Sequence, residues 1–258
     1  PGFPDGIQGP ELMERVQRQA ERFGAVVVPA EVTGVEIRTR GHVVAAGRES
    51  WTAPALIVST GATARYLGIP GEEALKGRGV SACATCDGFF FRGKDVFVVG
   101  GGDSAMEEAT YLSGICRSVT LVHRRRQFRA SSYMVERATG RPNVRLELGQ
   151  VPVEMIAGED GLFRGLVTRS VESGEQRTLE GDGLFVAVGH SPNTAVLEGR
   201  IDLDGEGYVV TRPGSTRTSA EGVFACGDVQ DRAYKQAVTA AGTGCMAALE
   251  AQRYLESI

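Results

Sequence analysis

The sequence contains no apolar run approaching the length of a membrane-spanning helix, so a membrane-embedded helical protein is not expected. No secretory signal opens it. It has little surplus charge of either sign, with 28 basic residues against 32 acidic ones, so no nucleic-acid-binding surface is expected. Its three histidines are scattered and Cys116, Cys226 and Cys245 are isolated, so no four-ligand metal cluster is expected. Five cysteines with one close pair do not make a secreted disulfide scaffold. A cytoplasmic redox motif is the expected alternative. No short repeat or low-complexity tract interrupts the chain, and neither an initiator Met nor a strand precedes its first expected helix. What remains is 258 residues with 42% hydrophobic side chains, enough for one large or two modest cored domains, and 35 glycines to make tight turns.

The chain is organised around Ser81–Ala105, where two chemical devices lie a few residues apart. Cys83-Ala84-Thr85-Cys86 is a dithiol with an acid, Asp87, directly behind it. A dithiol stores two electrons as a disulfide, one thiolate attacking a partner disulfide and the other resolving the mixed disulfide. Asp87 is placed to shuttle the proton; read alone it could be a turn or capping acid. Val96–Val99 then runs into Gly100-Gly101-Gly102-Asp103-Ser104-Ala105. A buried strand, a glycine turn of the form Gly100-x-Gly102-x-x-Ala105 and a helix start are the context in which a dinucleotide pyrophosphate is held. The second strand of this unit, Ser118–Val122, ends in His123-Arg124-Arg125-Arg126-Gln127-Phe128-Arg129 and carries no acid for a ribose hydroxyl. Guanidinium groups at that place bind a 2′-phosphate, so the expected coenzyme is NADPH rather than NADH. A solvated basic face is the bland alternative.

Around these devices the pattern predicts a helix over Pro10–Phe23 and strands at Ala25–Val28, Glu31–Arg38 and His42–Ala46. Ala55–Ser59 reads as a strand that delivers Thr60-Gly61-Ala62 to a ligand or a domain junction. Leu67–Gly71 and Gly189–Asn193 are breaker clusters and candidate linkers. Helices are expected near Ser131–Ala138 and from about Ala233 to Tyr254, with strands at Leu146–Leu148, Leu166–Arg169, Leu184–Val188, Tyr208–Val210 and Gly222–Cys226. The last of these ends in Gly227-Asp228, which can place a carboxylate on a cofactor hydroxyl or can simply cap a buried strand.

The segments CATCDGFF, VVGGGDSAMEEA, HRR…FRA, VAVGHSPNT, GVFACGDV and KQAVTAAGTGCMAALEAQRYL together resemble bacterial-type, low-molecular-weight thioredoxin reductases, from Pro1 to the C-terminus. The resemblance implies an α/β fold of two nucleotide-binding Rossmann-like domains of the three-layer FAD/NAD(P)-binding type. An NADPH domain over 65–191 would be inserted into a discontinuous FAD domain made of 1–64 and 192–258. It implies electron flow from NADPH through FAD and the dithiol to thioredoxin, in a homodimer. Cys86 would face the flavin, Cys83 would attack thioredoxin, and Asp87 would be the family acid. Gly100, Gly102, Asp103, Ser104 and Ala105 would form the NADPH pyrophosphate turn, and His123, Arg124, Arg125 and Arg129 the 2′-phosphate end. Thr60, Gly61, Gly227, Asp228, Gln236 and Ala237 would serve FAD, while Arg78, Phe89 and Phe90 would form the thioredoxin-docking surface.

Three departures stand out. Arg126 occupies a place where many relatives carry an acid, and Cys226 one where Ala is common. The family also opens with roughly fifty further residues holding the strand–glycine turn–helix that meets the FAD pyrophosphate. The expectation is therefore a thioredoxin reductase or a piece of one. An NADP-binding module that does not hold FAD, and a flavoprotein serving a peroxidase system, stand as alternatives.

Overall fold

The structure, a computed structural model, describes residues 2–258. Pro1, where the resemblance begins, lies outside the described residues. The chain forms two compact units. One combines the residues up to Gly61 with Asn193–Ile258, and the other is Ala62–Pro192.

The first segment opens with α1 (Gly9–Arg22), which has a proline in its first turn and none of whose residues is buried. The expected strand Ala25–Val28 does not form: these residues pair with no ladder, and Val26 is 87% exposed. β-Branched residues favour a strand only where a neighbouring edge and a buried face accept them. β1 (Gly34–Glu36), β2 (His42–Ala46) and β3 (Glu49–Ala53) form an antiparallel meander. β4 (Leu56–Val58) then ends the segment.

The second unit begins with β5 (Ala62–Ala64) and the one-turn α2 (Glu72–Leu75). β6 (Val80–Ser81) leads into α3 (Ala84–Asp87), which carries the dithiol. β7 (Asp95–Gly100), α4 (Asp103–Ser113), β8 (Ser118–His123), α5 (Ser132–Thr139) and β9 (Val144–Leu148) follow as two right-along βα repeats. β10 (Gln150–Ala157), β11 (Phe163–Ser170) and β12 (Gln176–Glu180) form a separate antiparallel sheet. β13 (Gly183–Ala187) returns to the main sheet, and β14 (His190–Pro192) pairs antiparallel with β5.

The main sheet is all parallel in the order β6-β13-β7-β8-β9. Its central strands are continuous Val/Leu/Phe runs because both faces are covered. Val96 and Val98 face a core shared with Ala105, Met106 and Leu112 of α4. Phe97 and Val99 face the opposite core, with Phe163 and Leu166 of β11. The unit is thus three layers, helices over a parallel sheet over an antiparallel sheet. The chain leaves β7 toward β8 on one side while β13 lies on the other, so the carboxyl ends of β7 and β13 form a topological switch point, where open α/β sheets take their ligands.

The breaker cluster after β5 is not a loose linker. The buried Glu72 carboxylate accepts the amides of Leu67 (2.9 Å) and Gly68 (2.6 Å), and Met155 N–H donates to Pro70 O.

Back in the first unit, β15 (Val223–Ala225) pairs parallel with β4. Its Val223 and Ala225 enter one core while Phe224 packs on the other face beneath α6 (Ala237–Leu255). That helix starts four residues later than its composition suggests. The Asp231 carboxylate takes the amides of Ala233, Tyr234 and Lys235 at 2.9, 2.8 and 3.1 Å, and Lys235 is held at φ 50°.

Candidate active site

The dithiol closes as a disulfide between Cys83 and Cys86. Cys83 opens α3, and the Cys86 amide donates to its sulfur at 3.2 Å. The acid behind the pair is fixed by a residue sixth in sequence before it. The buried Ser81 hydroxyl donates to Asp87 Oδ2 at 2.6 Å and accepts from Cys83 N–H at 3.0 Å. Ser81 is at the end of β6, and no local pattern marks it. Beyond α3 a 3₁₀ turn, Gly88–Phe91, buries Phe91 against Phe185 and leaves Phe89 and Phe90 66% and 71% exposed. These two rings meet edge-on with centroids 6.5 Å apart, and the Arg92 guanidinium lies over Phe89 at 5.4 Å. Arg92 is a basic neighbour that sequence reasoning missed. Arg78 is exposed on a different loop, before β6.

The glycine turn is built at the switch point. A side chain at Gly100 would place its first carbon 2.4 Å from Ala187 O of β13, and one at Gly101 would lie 2.2 Å from the His123 ring. At Gly102, in contrast, the space is open, and this residue opens α4 without a side-chain cap. The first amides of α4 therefore face a space that an anion can enter.

His123 is buried rather than displayed. Its ring stacks on Phe128 with centroids 5.3 Å apart, and Nε2 is 3.2 Å from Gln127 O. Burial, reinforced by Arg125, Arg124 and Arg129 and opposed by the Gln127 carbonyl, pushes its pKa down, so the ring is neutral at neutral pH. The basic loop is stitched to the turn through the backbone: Gly101 O accepts from Arg129 N (2.7 Å) and Ala130 N (3.1 Å). Asp103 does not display its carboxylate to solvent alone; Oδ1 accepts from Ser131 N at 2.8 Å and Ser131 Oγ at 3.1 Å. Ser104 is exposed in the first turn and Ala105 is fully buried. Arg124, Arg125 and Arg129 are exposed and form no ion pair with any described residue. Arg126 is engaged with Glu172 through two bonds of 2.7 and 2.6 Å. An open glycine position, an uncapped helix start and three uncommitted guanidinium groups fit the pyrophosphate and 2′-phosphate of NADPH.

In the other unit, Thr60 and Gly61 are used at the chain crossing. Thr60 Oγ1 donates to Asn193 O at 2.7 Å, and Asn193 N–H donates to Gly61 O at 3.0 Å. Gly227, at φ 72°, turns the chain out of β15, its amide donating to Thr243 Oγ1 at 2.9 Å, and Asp228 follows in a 3₁₀ turn. Gln236 N–H donates to Thr239 Oγ1 at the start of α6, where Ala237 is exposed. A left-handed turn bearing a carboxylate, beside a helix start of small residues, fits the ribityl and ring end of FAD. No strand–glycine turn–helix for the FAD pyrophosphate occurs among the described residues of this unit.

Glu108 and Glu72 complete the residues that sequence reasoning missed. Glu108, on α4, has a buried carboxyl oxygen, Oε2, with no hydrogen-bond partner among the described residues, and burial pushes its pKa up to about 7.

A dithiol, a dinucleotide turn and a basic phosphate loop on one parallel sheet define a pyridine-nucleotide-dependent disulphide reductase. The family model of the pyridine nucleotide-disulphide oxidoreductases matches residues 8–244. The thioredoxin reductase of Streptomyces clavuligerus is 52% identical over the whole chain and 80% of that protein. Among solved structures, thioredoxin reductase from Streptococcus pyogenes aligns over the whole chain and 84% of its own, with 37% identity and a TM-score of 0.93. That from Giardia duodenalis aligns over 99% and 84%, with 41% identity and a TM-score of 0.92. The chain belongs to the pyridine nucleotide-disulphide oxidoreductases and, within them, to the low-molecular-weight thioredoxin reductases, whose cofactors are FAD and NADPH.

Proposed function

We propose that the chain is an NADPH-dependent thioredoxin-disulphide reductase, passing electrons from NADPH through FAD and the Cys83–Cys86 disulfide to oxidised thioredoxin. The observation that carries this reading is the disulfide, with its Ser81-held acid, on the same unit as an open glycine turn and free arginines. It is supported by full-length likeness to proteins named thioredoxin reductase.

NADPH and FAD, when bound, supply the hydride and the two-electron relay. The residues of the chain do the rest. Gly102 and the first amides of α4 take the pyrophosphate, and Arg124, Arg125 and Arg129 take the 2′-phosphate. Gly227, Asp228, Gln236 and Ala237 hold the ribityl and ring end of FAD. After reduction the Cys86 amide steadies a thiolate at Cys83, since an N–H aimed at sulfur stabilises its charged form. Cys83 attacks the thioredoxin disulfide, forming a mixed disulfide and expelling a thiolate. Cys86 attacks Cys83 in turn, re-forming the Cys83–Cys86 bond and releasing dithiol thioredoxin. Asp87, oriented by Ser81, delivers the proton to the leaving sulfur. Phe89 and Phe90 offer the protein substrate an exposed apolar contact with Arg92 over Phe89, and the exposed Arg78 adds positive charge from a separate loop. We place the enzyme in the cytoplasm as a homodimer; no helix of the described residues is long and apolar enough to cross a membrane. NADPH oxidation coupled to thioredoxin reduction, measured with FAD supplied, tests the reading. Turnover supports it, and an FAD-loaded protein that oxidises NADPH without reducing any thioredoxin counts against it.

A further inference from the structure

We infer that Asp103 is a positioning residue for coenzyme selectivity: through Ser131 it pins the end of the arginine loop to the glycine turn and so fixes Arg129. This rests on the reading of the turn and the loop as the NADPH site.

The end of the loop runs back past the turn. Gly101 O accepts Arg129 N–H at 2.7 Å and Ala130 N–H at 3.1 Å. Asp103 Oδ1 accepts Ser131 N–H at 2.8 Å and the Ser131 hydroxyl at 3.1 Å. Phe128 and Ala130 pack against the core beneath α4, while Arg129 between them is exposed. Arg129 is thus held by its own amide and by both neighbours, and only its guanidinium end is left to a ligand. The Gly101 carbonyl is backbone and is present whatever the side chain. The Asp103 carboxylate is the side-chain part of the fastening.

Ser131 stands at the N-cap of α5, where a serine hydroxyl ordinarily accepts an amide of the first turn. Here it makes no cap bond and donates to Asp103 instead. Asp103 lies in the first turn of α4, beside the open space at Gly102. A carboxylate there suits the helix dipole but repels a phosphate entering that space. Its charge therefore works against a pyrophosphate, and what it supplies to the site is an acceptor for Ser131.

The two effects fall differently on the two coenzymes. NADP+ and NAD+ carry the same pyrophosphate, so repulsion by Asp103 weakens both alike. Only NADP+ carries the 2′-phosphate, so a slack Arg129 weakens NADP+ alone. The ratio of the two dissociation constants cancels the first effect and keeps the second. Asp103→Asn keeps an acceptor oxygen for Ser131 and loses the charge, whereas Asp103→Ala loses both.

Calorimetric titrations of the full chain with NADP+ and with NAD+ read that ratio without turnover and without thioredoxin. Asp103→Ala should shift the ratio about three- to tenfold toward NAD+, the worth of hydrogen bonds at an exposed site. Asp103→Asn should keep the wild-type ratio. A wild-type ratio in Asp103→Ala, or an equal shift in Asp103→Asn, overturns the inference. In an Arg129→Ala background Asp103→Ala should shift the ratio no further, because the residue it positions is gone. A full second shift there would show that Asp103 does not act through Arg129. Hydrogen exchange supplies a readout free of coenzyme: in Asp103→Ala the amides of Arg129–Ser131 should exchange faster while those of β7 stay protected. Unchanged exchange at Arg129–Ser131 also overturns the inference. Should Asp103→Ala fail to fold, Ser131→Ala, which keeps the amide bond, should shift the ratio the same way by a smaller factor, and no shift overturns it. If wild type binds NADP+ and NAD+ alike, the NADPH reading falls and this inference with it. If the ratio shifts as expected but thioredoxin is not reduced, the functional reading fails and this one stands. If thioredoxin is reduced and the ratio does not shift, this one fails alone.

Discussion

Ser81 donates to Asp87 at 2.6 Å while accepting from the amide of Cys83, so one buried hydroxyl ties the acid behind the dithiol to the residue that opens it. The acid is therefore oriented by the end of β6, not by its own turn.

Ser81→Ala should leave the disulfide able to form but let Asp87 and the Cys83 amide drift. A hydrogen bond to a charged group is worth about 1.5–3 kcal/mol. Thioredoxin turnover should fall about tenfold or more, and Ser81→Thr should recover part of it. Steady-state kinetics of the three proteins check this, and an unchanged Ser81→Ala rate would show that Asp87 needs no such support.

Arg124 and Arg125 are exposed and form no ion pair with any described residue, and so are available to a 2′-phosphate. Replacing either with Ala should weaken NADPH by about 1.5–3 kcal/mol, a loss of about ten- to a hundredfold in kcat/KM. NADH, which has no 2′-phosphate, should be little affected. The ratio of the two coenzymes' kcat/KM values is the measurement. Equal losses would mean a solvated basic face.

The glycine turn divides into a packed part and an open part. At Gly101 an added carbon meets the His123 ring at 2.2 Å, and that ring is held by Phe128 and Gln127. Gly101→Ala should cost about 1–3 kcal/mol of stability as overpacking does. Gly102→Ala meets nothing within 4 Å and should leave Tm nearly unchanged while weakening NADPH. Thermal melts and coenzyme titrations of both variants separate the two roles.

How much of this was legible in the sequence follows from range. The strand, turn and helix over 96–113 are readable because each signal is local: a valine run, adjacent glycines, then helix formers. The helix observed, Asp103–Ser113, begins within the Gly100–Ala105 turn that the pattern marks as a helix start. The partnership of Ser81 with Asp87 and the stitching of Gly101 O to Arg129 N depend on sheet register and loop packing, which no short pattern encodes. Ala25–Val28 shows the reverse failure, a strong local β preference with no ladder to join. His123 read as part of a basic cluster, yet its ring serves as packing under the turn.

Asp95 begins β7 and is bonded by Arg117 and by Ser118 Oγ at the start of β8. The Arg117 bond, opposed by burial and aided by Ser118, pulls its pKa down to about 2. A folded-state pKa below the unfolded value means the stabilisation is complete above the ordinary Asp range, about 3.9, and is lost as pH falls toward 2. Asp95→Asn should therefore lower stability at neutral pH and flatten the loss on acidification across that window. Urea midpoints at neutral and acid pH check it, and parallel curves for the two proteins would contradict it.

The path of electrons through Cys83 and Cys86 is most directly tested by following NADPH oxidation and thioredoxin thiol release together in three FAD-supplied proteins: wild type, Cys83→Ser and Cys86→Ser. Wild type should release two thiols per NADPH consumed, as a two-electron disulfide reduction requires. Each serine variant should bind NADPH as wild type does yet release thiol only at background. Thioredoxin reduction at the wild-type rate by either variant would contradict the account.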